Sequence, residues 1–412
     1  MALLTGREVR RILEYYSPFN ADGSLRPDSE RATVLAANAN TPIEVFARAF
    51  CMVAARGSGS PVLIQLSHNC INLVGSDPKS LKVPTGVLDP GLNPAVEGAI
   101  ISAFLIDSYA QEFGTPYVGI TLDHFTLPRY DPNNLPGADL NSLDARLAEA
   151  RIHHAAQFMA PVFGDEAKYD EKTLVSYVNY LLSPNYRKFK QDFLAVIDNI
   201  SPAWGMIDTE KLPPLLDFVV TREITEGVRS ELNNQDVLIE AEFGATGQFG
   251  EALDYQPVRG KELEGFAQRV AAFVKYTAAD AVAYPIGMEH AAKRGVAHEP
   301  DVERLKVVGA TLVRNAARYV PFVQHGGTGA SEVARGLVGK NNINTFFLVA
   351  AANAIADHVQ ANLQGIREGE KGACGTKIYT AGIQAVAEAA VTKLKESGTY
   401  DVGATLGGVL DG

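Results

Sequence analysis

Side chains of the kind that bind metals follow several apolar segments of the sequence. Asp123 and His124 close one such segment, Glu240 and Glu242 close another, and His325 closes a third. The ends of other apolar segments hold Asp208, His290, Asn342 and Asn344. A packed core alone would not concentrate these residue types at one end of successive segments. If the segments are parallel strands of a barrel, their carboxyl ends form one active-site face.

Three histidines give this pattern its chemistry. Of the eight in the sequence, His124, His290 and His325 stand just beyond different apolar segments. One isolated histidine is more often a hydrogen-bonded structural residue. Three imidazoles that leave one position open, however, are the ligand set of a catalytic zinc site. Glu242 is either a further ligand or a group that orients one of the histidines.

Asp123 is a candidate for proton transfer, because a carboxylate beside a metal can act as a general acid or base. The alternative is an ordinary structural or surface aspartate. Successive side chains of a strand point to opposite faces. Asp123 and His124 can therefore share a site only if the strand ends there and the chain turns.

A glycine-rich loop runs from Gln324 to Ser331 with the sequence Gln-His-Gly-Gly-Thr-Gly-Ala-Ser, and a helix is predicted to start near Ser331. Backbone N–H groups of such a loop, together with a helix N-terminus, can bind a phosphate. The loop matches neither the dinucleotide fingerprint nor the Walker A motif, which argues against a nucleotide site. Taken alone, many glycine loops are only tight turns.

The rest of the chain alternates β-rich apolar segments with amphipathic helices, the pattern of parallel βα units. The predicted strands are Tyr16–Asn20, Pro61–Leu66, Tyr117–Leu122, Ala203–Ile207, Val237–Ala241, Ala281–Ile286, Tyr319–Gln324 and Asn341–Asn344. The helices between them are Pro42–Ala55, Pro94–Glu112, Glu210–Leu232, Lys261–Thr277, Pro300–Ala317 and Phe347–Gly365, the first with Thr41 as its N-cap. These elements predict an α/β fold, a (β/α)8 TIM barrel in which residues 1–412 form one domain.

One connection is unusually long. Residues 125–202, between the third and fourth strands, exceed the usual length of a crossover and hold helical patterns at Leu143–Phe158, Glu171–Leu181 and Tyr186–Asp198. This helical insertion is expected to cover the barrel mouth or to build a subunit interface, because its aromatic residues offer apolar surface. The alternative is a helical decoration packed on the flank of the barrel.

Charge and composition exclude other classes of protein. The net charge of -11 argues against a nucleic-acid-binding surface. No uncharged apolar run reaches the roughly 18 to 20 residues of a membrane span. The three cysteines are widely spaced and suggest reduced thiols rather than a disulfide framework. A cytoplasmic protein is expected.

The ordered set of motifs resembles the class II, metal-dependent fructose-bisphosphate aldolases. The similarity covers most of the barrel, from Phe19-Asn20 and the Pro61–Ser67 segment to Asp123-His124 and Asp208. It continues through Glu240-Ala-Glu242-Phe-Gly244, the segment from Ala279 to His290, His325-Gly-Gly-Thr-Gly329 and Lys340-Asn-Asn342-Ile-Asn344-Thr345. The whole series is far more specific than any one of its members.

The resemblance implies roles for individual residues. His124, His290 and His325 would bind Zn²⁺, with Glu242 as a ligand in some states. Asp123 would be the acid and base at the C4 hydroxyl of a ketose, and Asn342 would help to hold the triose enediolate. The phosphate and hydroxyl sites would be lined by Gly326, Gly327, Thr328, Asn344 and Thr345. A monovalent cation, K⁺ or Na⁺, is a further expectation.

Some positions depart from the family pattern. The family's loop of consecutive acidic residues is replaced here by Gly-Gln-Phe-Gly-Glu-Ala-Leu-Asp, in which Glu251 is the candidate for the mobile catalytic carboxylate. Ala291 stands where the family has glycine, and Thr328 where it has serine. Together with the insertion, these departures predict a divergent substrate specificity.

The predicted function is that of a lyase of carbohydrate metabolism and glycolysis that splits a ketose phosphate. Fructose 1,6-bisphosphate is the default substrate, with dihydroxyacetone phosphate and an aldehyde as products. A homodimer or homotetramer is expected. The alternatives are a metal-dependent hydrolase on a TIM barrel, which would typically carry a His-x-His pair, and a non-catalytic barrel that binds a sugar phosphate.

Overall fold

The computed structural model describes residues 3–74, 93–244, 255–288, 299–316, 318–329, 334–375 and 377–411. Its strands are β1 Val34–Asn38, β2 Val62–Ser67, β3 Val118–Asp123, β4 Phe125–Thr126, β5 Trp204–Asp208, β6 Leu238–Glu242, β7 Ala281–Ala283, β8 Val323–Gln324 and β9 Lys340–Ile343. All pairings between these strands are parallel, in the order β7-β6-β5-β3-β2-β1-β9-β8, and the short β4 pairs with β5 alone. A parallel bridge from Val282 to Phe322 joins the two ends. The predicted (β/α)8 barrel is thereby confirmed.

Helices surround the barrel. They are α1 Gly6–Tyr15, α2 Ile43–Ala54, α3 His68–Val74, α4 Pro94–Phe113, α5 Leu143–Phe163, α6 Glu171–Leu182, α7 Pro184–Ile200, α8 Pro214–Glu226, α9 Gly260–Thr277, α10 Val302–Ala316, α11 Thr345–Ala361, α12 Leu363–Arg367, α13 Lys371–Cys374, α14 Lys377–Ser397 and α15 Gly403–Asp411. Within the part of the chain that the structure describes, no helix is both long enough and apolar enough to span a bilayer.

The barrel interior changes character from one end to the other. Near the amino ends of the strands it is apolar, with Leu63, Leu238 and Val323 packed together, and α1 closes this end with Val9 and Ile12. Near the carboxyl ends the inward positions are polar. They are alternate residues of each strand, because alternate side chains face the same side of the sheet. These inward residues include Asn38, Gln65, Asp123, Glu240, Glu242 and Asn342, all buried. The fold therefore collects the polar side chains at one end.

Two predictions about the first part of the chain are wrong. Tyr16–Asn20 is not a strand: Tyr16 is the C-cap of α1, and a loop follows. The first barrel strand is β1, whose five residues are all buried. Thr41 is also not the N-cap of α2, since the cap position belongs to Pro42 and carries no side-chain hydrogen bond.

Three helices, α5, α6 and α7, occupy the long connection between β3 and β5. Helix α7 packs against α4, in the layer that surrounds the barrel, whereas α5 lies against α8 and α9. Each of the three begins at a side-chain cap, provided by Ser142, Asp170 and Ser183 respectively. The segment begins with Phe125, which stacks on His68 with the ring centroids 4.1 Å apart.

Candidate active site

The turn at the end of β3 brings Asp123 and His124 into one site. His124 has a φ of +45°, a left-handed conformation that is uncommon for residues with a side chain and recurs at active sites. Its backbone N–H donates to Met206 Sδ at 3.3 Å. Because the strand ends here, the two side chains no longer diverge, and His124 Nε2 lies 4.0 Å from Asp123 Oδ1.

Asp123 is buried and held by three amide side chains. Asn38 Nδ2 donates to its Oδ2 at 3.0 Å, and Gln65 Nε2 donates to its Oδ1 at 3.0 Å. Asn342 Nδ2 also donates to Oδ1, at 3.3 Å. The donors come from β1, β2 and β9, so the orientation of this carboxylate depends on three strands at once. Amides orient it without supplying a neutralising charge.

His325 lies between two buried carboxylates. Its Nε2 is 2.9 Å from Glu240 Oε1, and its Nδ1 is 3.2 Å from Glu242 Oε1. His124 is its neighbour, with the ring centroids 4.8 Å apart. On its other side His124 Nδ1 lies 3.5 Å from Asp208 Oδ2. Two imidazoles and three carboxylates thus share one small region at the carboxyl ends of the strands.

The carboxylates dominate the electrostatics of these two histidines. Burial acts to lower the pKa of His124, but Asp123 and Asp208 outweigh it and raise this pKa to about 9. Burial also acts to lower the pKa of His325, but Glu240 and Glu242 outweigh it and raise this pKa to about 10. Both imidazoles are therefore protonated at neutral pH unless another cation replaces the proton.

The carboxyl groups differ from one another. Burial would raise the pKa of Asp208, yet contact with His124 lowers it to about 2. At Glu242 burial has the larger effect and raises the pKa despite the nearby His325. The site therefore combines a firmly ionised carboxylate with one that burial makes easier to protonate.

The donor set fits a metal ion of the zinc type. One donor atom from each of His124, Asp208 and Glu242 lies within 4.8 Å of the others. Donors bound tetrahedrally at 2.0–2.1 Å from Zn²⁺ are about 3.3 Å apart. The spacings of 3.2 Å between His325 and Glu242 and 3.5 Å between His124 and Asp208 are close to this value. Imidazole nitrogen and carboxylate oxygen are suitable ligands for such an ion.

A cavity of about 190 Å³ opens beside this cluster. Its walls include Asp123, His124, His325, Gly326, Thr328, Asn342, Asn344 and Thr345. Gly326 has a φ of +69°, which favours glycine. The N-terminus of the 17-residue helix α11 begins at Thr345, and helix N-termini attract anions. The cavity therefore places a candidate anion site next to the candidate metal site.

The predicted residues fall into two groups. The structure brings together Asp123, His124, Glu242, His325, Gly326, Gly327, Thr328, Asn342, Asn344 and Thr345. His290, Ala291, Glu251 and the helix expected near Ser331 lie outside the described residues. The resemblance had assigned no role to Asn38 or Gln65, which hold Asp123, or to Asp208 beside His124. Asp208 could have been weighed as a ligand, because it ends a strand as Glu242 does.

Comparison with known families places this geometry. Residues 205–401 match the family model described as fructose-bisphosphate aldolase class-II. The match includes Asp208, Glu240, Glu242 and His325, which form most of the cluster. Residues 205–401, just under half of the chain, are therefore similar to the class II fructose-bisphosphate aldolases. Asp123 and His124 precede the matched segment, and the barrel brings them to it.

One solved structure agrees with the fold described above, and a second shows a weaker likeness. Fructose-bisphosphate aldolase from Campylobacter jejuni superposes with a TM-score of 0.59 at 18% identity, covering 97% of each chain. The YdjI aldolase from Escherichia coli K12 has a TM-score of 0.47 at 18% identity, covering 90% of this chain and 92% of its own. A comparison with curated protein sequences gives no match. At 18% identity, the likeness to the Campylobacter jejuni structure is one of fold.

Proposed function

We propose that this protein is a zinc-dependent class II aldolase that reversibly cleaves a ketose phosphate, such as fructose 1,6-bisphosphate, into dihydroxyacetone phosphate and an aldehyde. The observation that carries the proposal is the single cavity shared by Asp123, His124, His325 and the loop at Gly326. The proposed proton-transfer group, metal ligands and anion site would lie side by side in this cavity. A hydrolase would need no anion site of this kind.

Each residue has a role in the proposed reaction. Zn²⁺ held by His124, His325 and Glu242, with His290 as a further proposed ligand, would act as a Lewis acid toward the substrate carbonyl. Asp123 accepts the proton of the C4 hydroxyl while the C3–C4 bond breaks, and the bonding electron pair stays on C3. Asn342 helps to hold the resulting triose enediolate. Glu251 is the proposed donor of the proton that C3 then takes up.

The phosphate end of the substrate is assigned to the loop and the helix beside it. Backbone N–H groups at Gly326, Gly327 and Thr328 and the side chains of Asn344 and Thr345 are the proposed contacts. Asn344 Oδ1 already accepts a hydrogen bond from Asn40 Nδ2 at 2.9 Å, which fixes its orientation. A bound K⁺ or Na⁺ near this loop remains part of the proposal.

The setting of the enzyme is also proposed. We place it in the cytoplasm, in carbohydrate metabolism such as glycolysis, as a homodimer or homotetramer that needs neither a membrane nor a nucleic acid. Residues 1–412 are proposed to form one domain, in which residues 125–202 are a helical insertion. Sedimentation of the purified protein would test the subunit number directly.

A retro-aldol assay tests the activity. Fructose 1,6-bisphosphate, tagatose 1,6-bisphosphate and ketose 1-phosphates would be offered to the purified protein, and the release of dihydroxyacetone phosphate would be followed. We expect cleavage of at least one substrate, loss of activity with a chelator and recovery with Zn²⁺. Activity that a chelator leaves intact, after metal analysis has shown the protein to be empty, would contradict the zinc dependence.

A further inference from the structure

Glu240 stands at the centre of a polar network inside the barrel. Its carboxylate is fully buried, and both oxygens are engaged. Oε1 lies 2.9 Å from His325 Nε2. Oε2 accepts a hydrogen bond from Trp204 Nε1 at 2.7 Å and lies 2.7 Å from Lys340 Nζ. Three contacts from different parts of the barrel leave this side chain one available orientation.

Trp204 and Lys340 also hold each other. The Lys340 ammonium lies over the Trp204 ring, 4.5 Å from its centroid, a cation–π contact that is stronger when the ammonium is out of water. Both side chains are fully buried, and Trp204 is the one tryptophan of the sequence. The two residues begin β5 and β9, which are not neighbours in the sheet. The network therefore spans the interior of the barrel.

The network decides which nitrogen of His325 is available. Because the Lys340 ammonium and the Trp204 N–H both face Glu240 Oε2, this carboxylate is the acceptor, and His325 Nε2 donates to its Oε1. Nδ1, on the side of Glu242 at 3.2 Å, remains as the nitrogen that can bind a metal. A hydrogen bond on one ring nitrogen generally fixes the tautomer and orientation of a metal-binding histidine.

We propose that Trp204 and Lys340 are positioning residues for the metal site: together they fix Glu240, and Glu240 presents His325 with its Nδ1 toward the metal. This inference rests on the proposed function only in that a divalent metal is bound there. In this proposal Trp204 does more than fill the core. Its indole N–H holds Glu240, and Glu240 in turn orients His325.

A purely structural role of Trp204 and Lys340 predicts a different result. A buried ion pair that serves only stability would, when broken, weaken folding and leave the metal affinity of the folded protein unchanged. A positioning role lowers the metal affinity of protein that is still folded. Loss of a group that supports a metal ligand typically costs 10- to 100-fold in affinity.

Trp204→Phe is the decisive variant. Phenylalanine keeps an aromatic ring under Lys340 and removes the N–H that Glu240 accepts. We expect a folded protein whose affinity for Zn²⁺, measured by competition with a chromophoric chelator, falls by roughly 10-fold or more. In the Co²⁺-loaded protein, the visible absorption spectrum of the ion should shift in the same variant, since it reports the arrangement of the ligands.

Lys340→Met tests the second member, and the chain offers a matched control. Lys393 is also buried, is paired with Glu396 at 2.7 Å and lies 4.7 Å from the centroid of the Phe346 ring. We expect Lys340→Met to weaken metal binding at least as much as Trp204→Phe, and Lys393→Met to leave it unchanged. Should Lys340→Met fail to fold, Trp204→Phe still decides.

The outcomes separate this inference from the proposed function. Wild-type metal affinity and an unaltered Co²⁺ spectrum in folded Trp204→Phe would overturn the positioning role, whatever the activity. A wild-type protein that binds metal but cleaves no ketose phosphate would overturn the aldolase proposal and leave the positioning role standing. A wild-type chain that binds no divalent metal would overturn both.

Discussion

A carboxylate has about four lone-pair directions, and the amides around Asp123 use three of them. The donors, Asn38, Gln65 and Asn342, are neutral and come from separate strands. One direction is left for a substrate hydroxyl, on the side of the cavity that Asp123 lines. This geometry supports a general base whose position is fixed before the substrate arrives.

Asp123→Ala should retain its metal and lose turnover by roughly 10²-fold or more, because a positioned general base contributes a factor of this size. Metal content and kcat should be measured on the same preparation. Asn38→Ala removes one hydrogen-bond donor to Asp123 and keeps the Asp123 carboxylate, so the loss of turnover in this variant should be smaller. Full turnover in Asp123→Ala would remove this residue from the proposed mechanism.

At this scale the sequence indicated the charged residues better than the neutral ones. His124, His325 and Glu242 follow apolar segments, and the structure brings them together. Asn38 could not be recognised, because an asparagine carries no distinctive pattern and its strand had not been predicted. Its role depends on a contact with Asp123, 85 positions away in the chain, which only the closed barrel creates.

Among the elements, β1 shows why local pattern can mislead. Its sequence Val-Leu-Ala-Ala-Asn is rich in alanine, which strands disfavour, whereas Tyr16–Asn20 holds aromatic residues, which strands favour. Pro18 in that segment was the opposing sign, because proline cannot donate to a sheet. What makes β1 a strand is burial on both sides, between β2 and β9, and that is a property of the whole barrel.

The loop at Gly327 gives an element-scale prediction. A Cβ at this position would lie 2.1 Å from Asn341 Oδ1 and 2.9 Å from Asn342 O. Gly327→Ala must therefore displace the loop, and loss of one hydrogen bond to a charged phosphate should raise KM by roughly 10-fold. Gly265→Ala, on a helix with open space at its Cβ, is the matched control. An unchanged KM in Gly327→Ala would argue against phosphate binding here.

The insertion carries exposed leucines on α5 and the turn before it. Leu140, Leu143 and Leu147 are 45%, 70% and 50% exposed, at helical spacing. We propose that this stripe contacts another subunit, since exposed apolar patches commonly mark interaction sites. Leu143→Glu with Leu147→Glu should reduce the assembled fraction in sedimentation, with unchanged helical content. An assembly that persists in the double variant would favour the flank decoration instead.

At the scale of the whole molecule, the two ends of the barrel interior differ in character. One end of the barrel interior is apolar and closed by α1, while the other holds the polar cluster. This division could be predicted, because strand ends with metal-type residues implied a common face. The closing contact between Val282 and Phe322 could not, since it is one bridge between short strands.

The closed end of the barrel has its own charged centre at Asp280. Its buried carboxylate accepts from Arg10, Arg229 and Arg318, and from the backbone N–H of Ile239 at 2.8 Å. These contacts tie α1, β6 and the chain before β8 to the start of β7. Burial acts to raise the Asp280 pKa, but Arg229 and the other contacts outweigh it and lower it.

Asp280→Asn should therefore lower the free energy of unfolding at pH 7 by about 3 kcal/mol, the low end for breaking a buried pair, because the arginines are partly exposed. Since the folded pKa lies below the unfolded value of about 3.9, the stabilisation is present above that pH and is lost as the pH falls through the folded pKa. The difference between wild type and variant should thus hold from pH 7 to pH 5 and shrink below pH 4 in urea unfolding. Asp144→Asn, which breaks an exposed pair with Arg187, should change stability by less than about 1 kcal/mol. A difference that stayed constant down to pH 3 would show that the charge of Asp280 does not stabilise the fold.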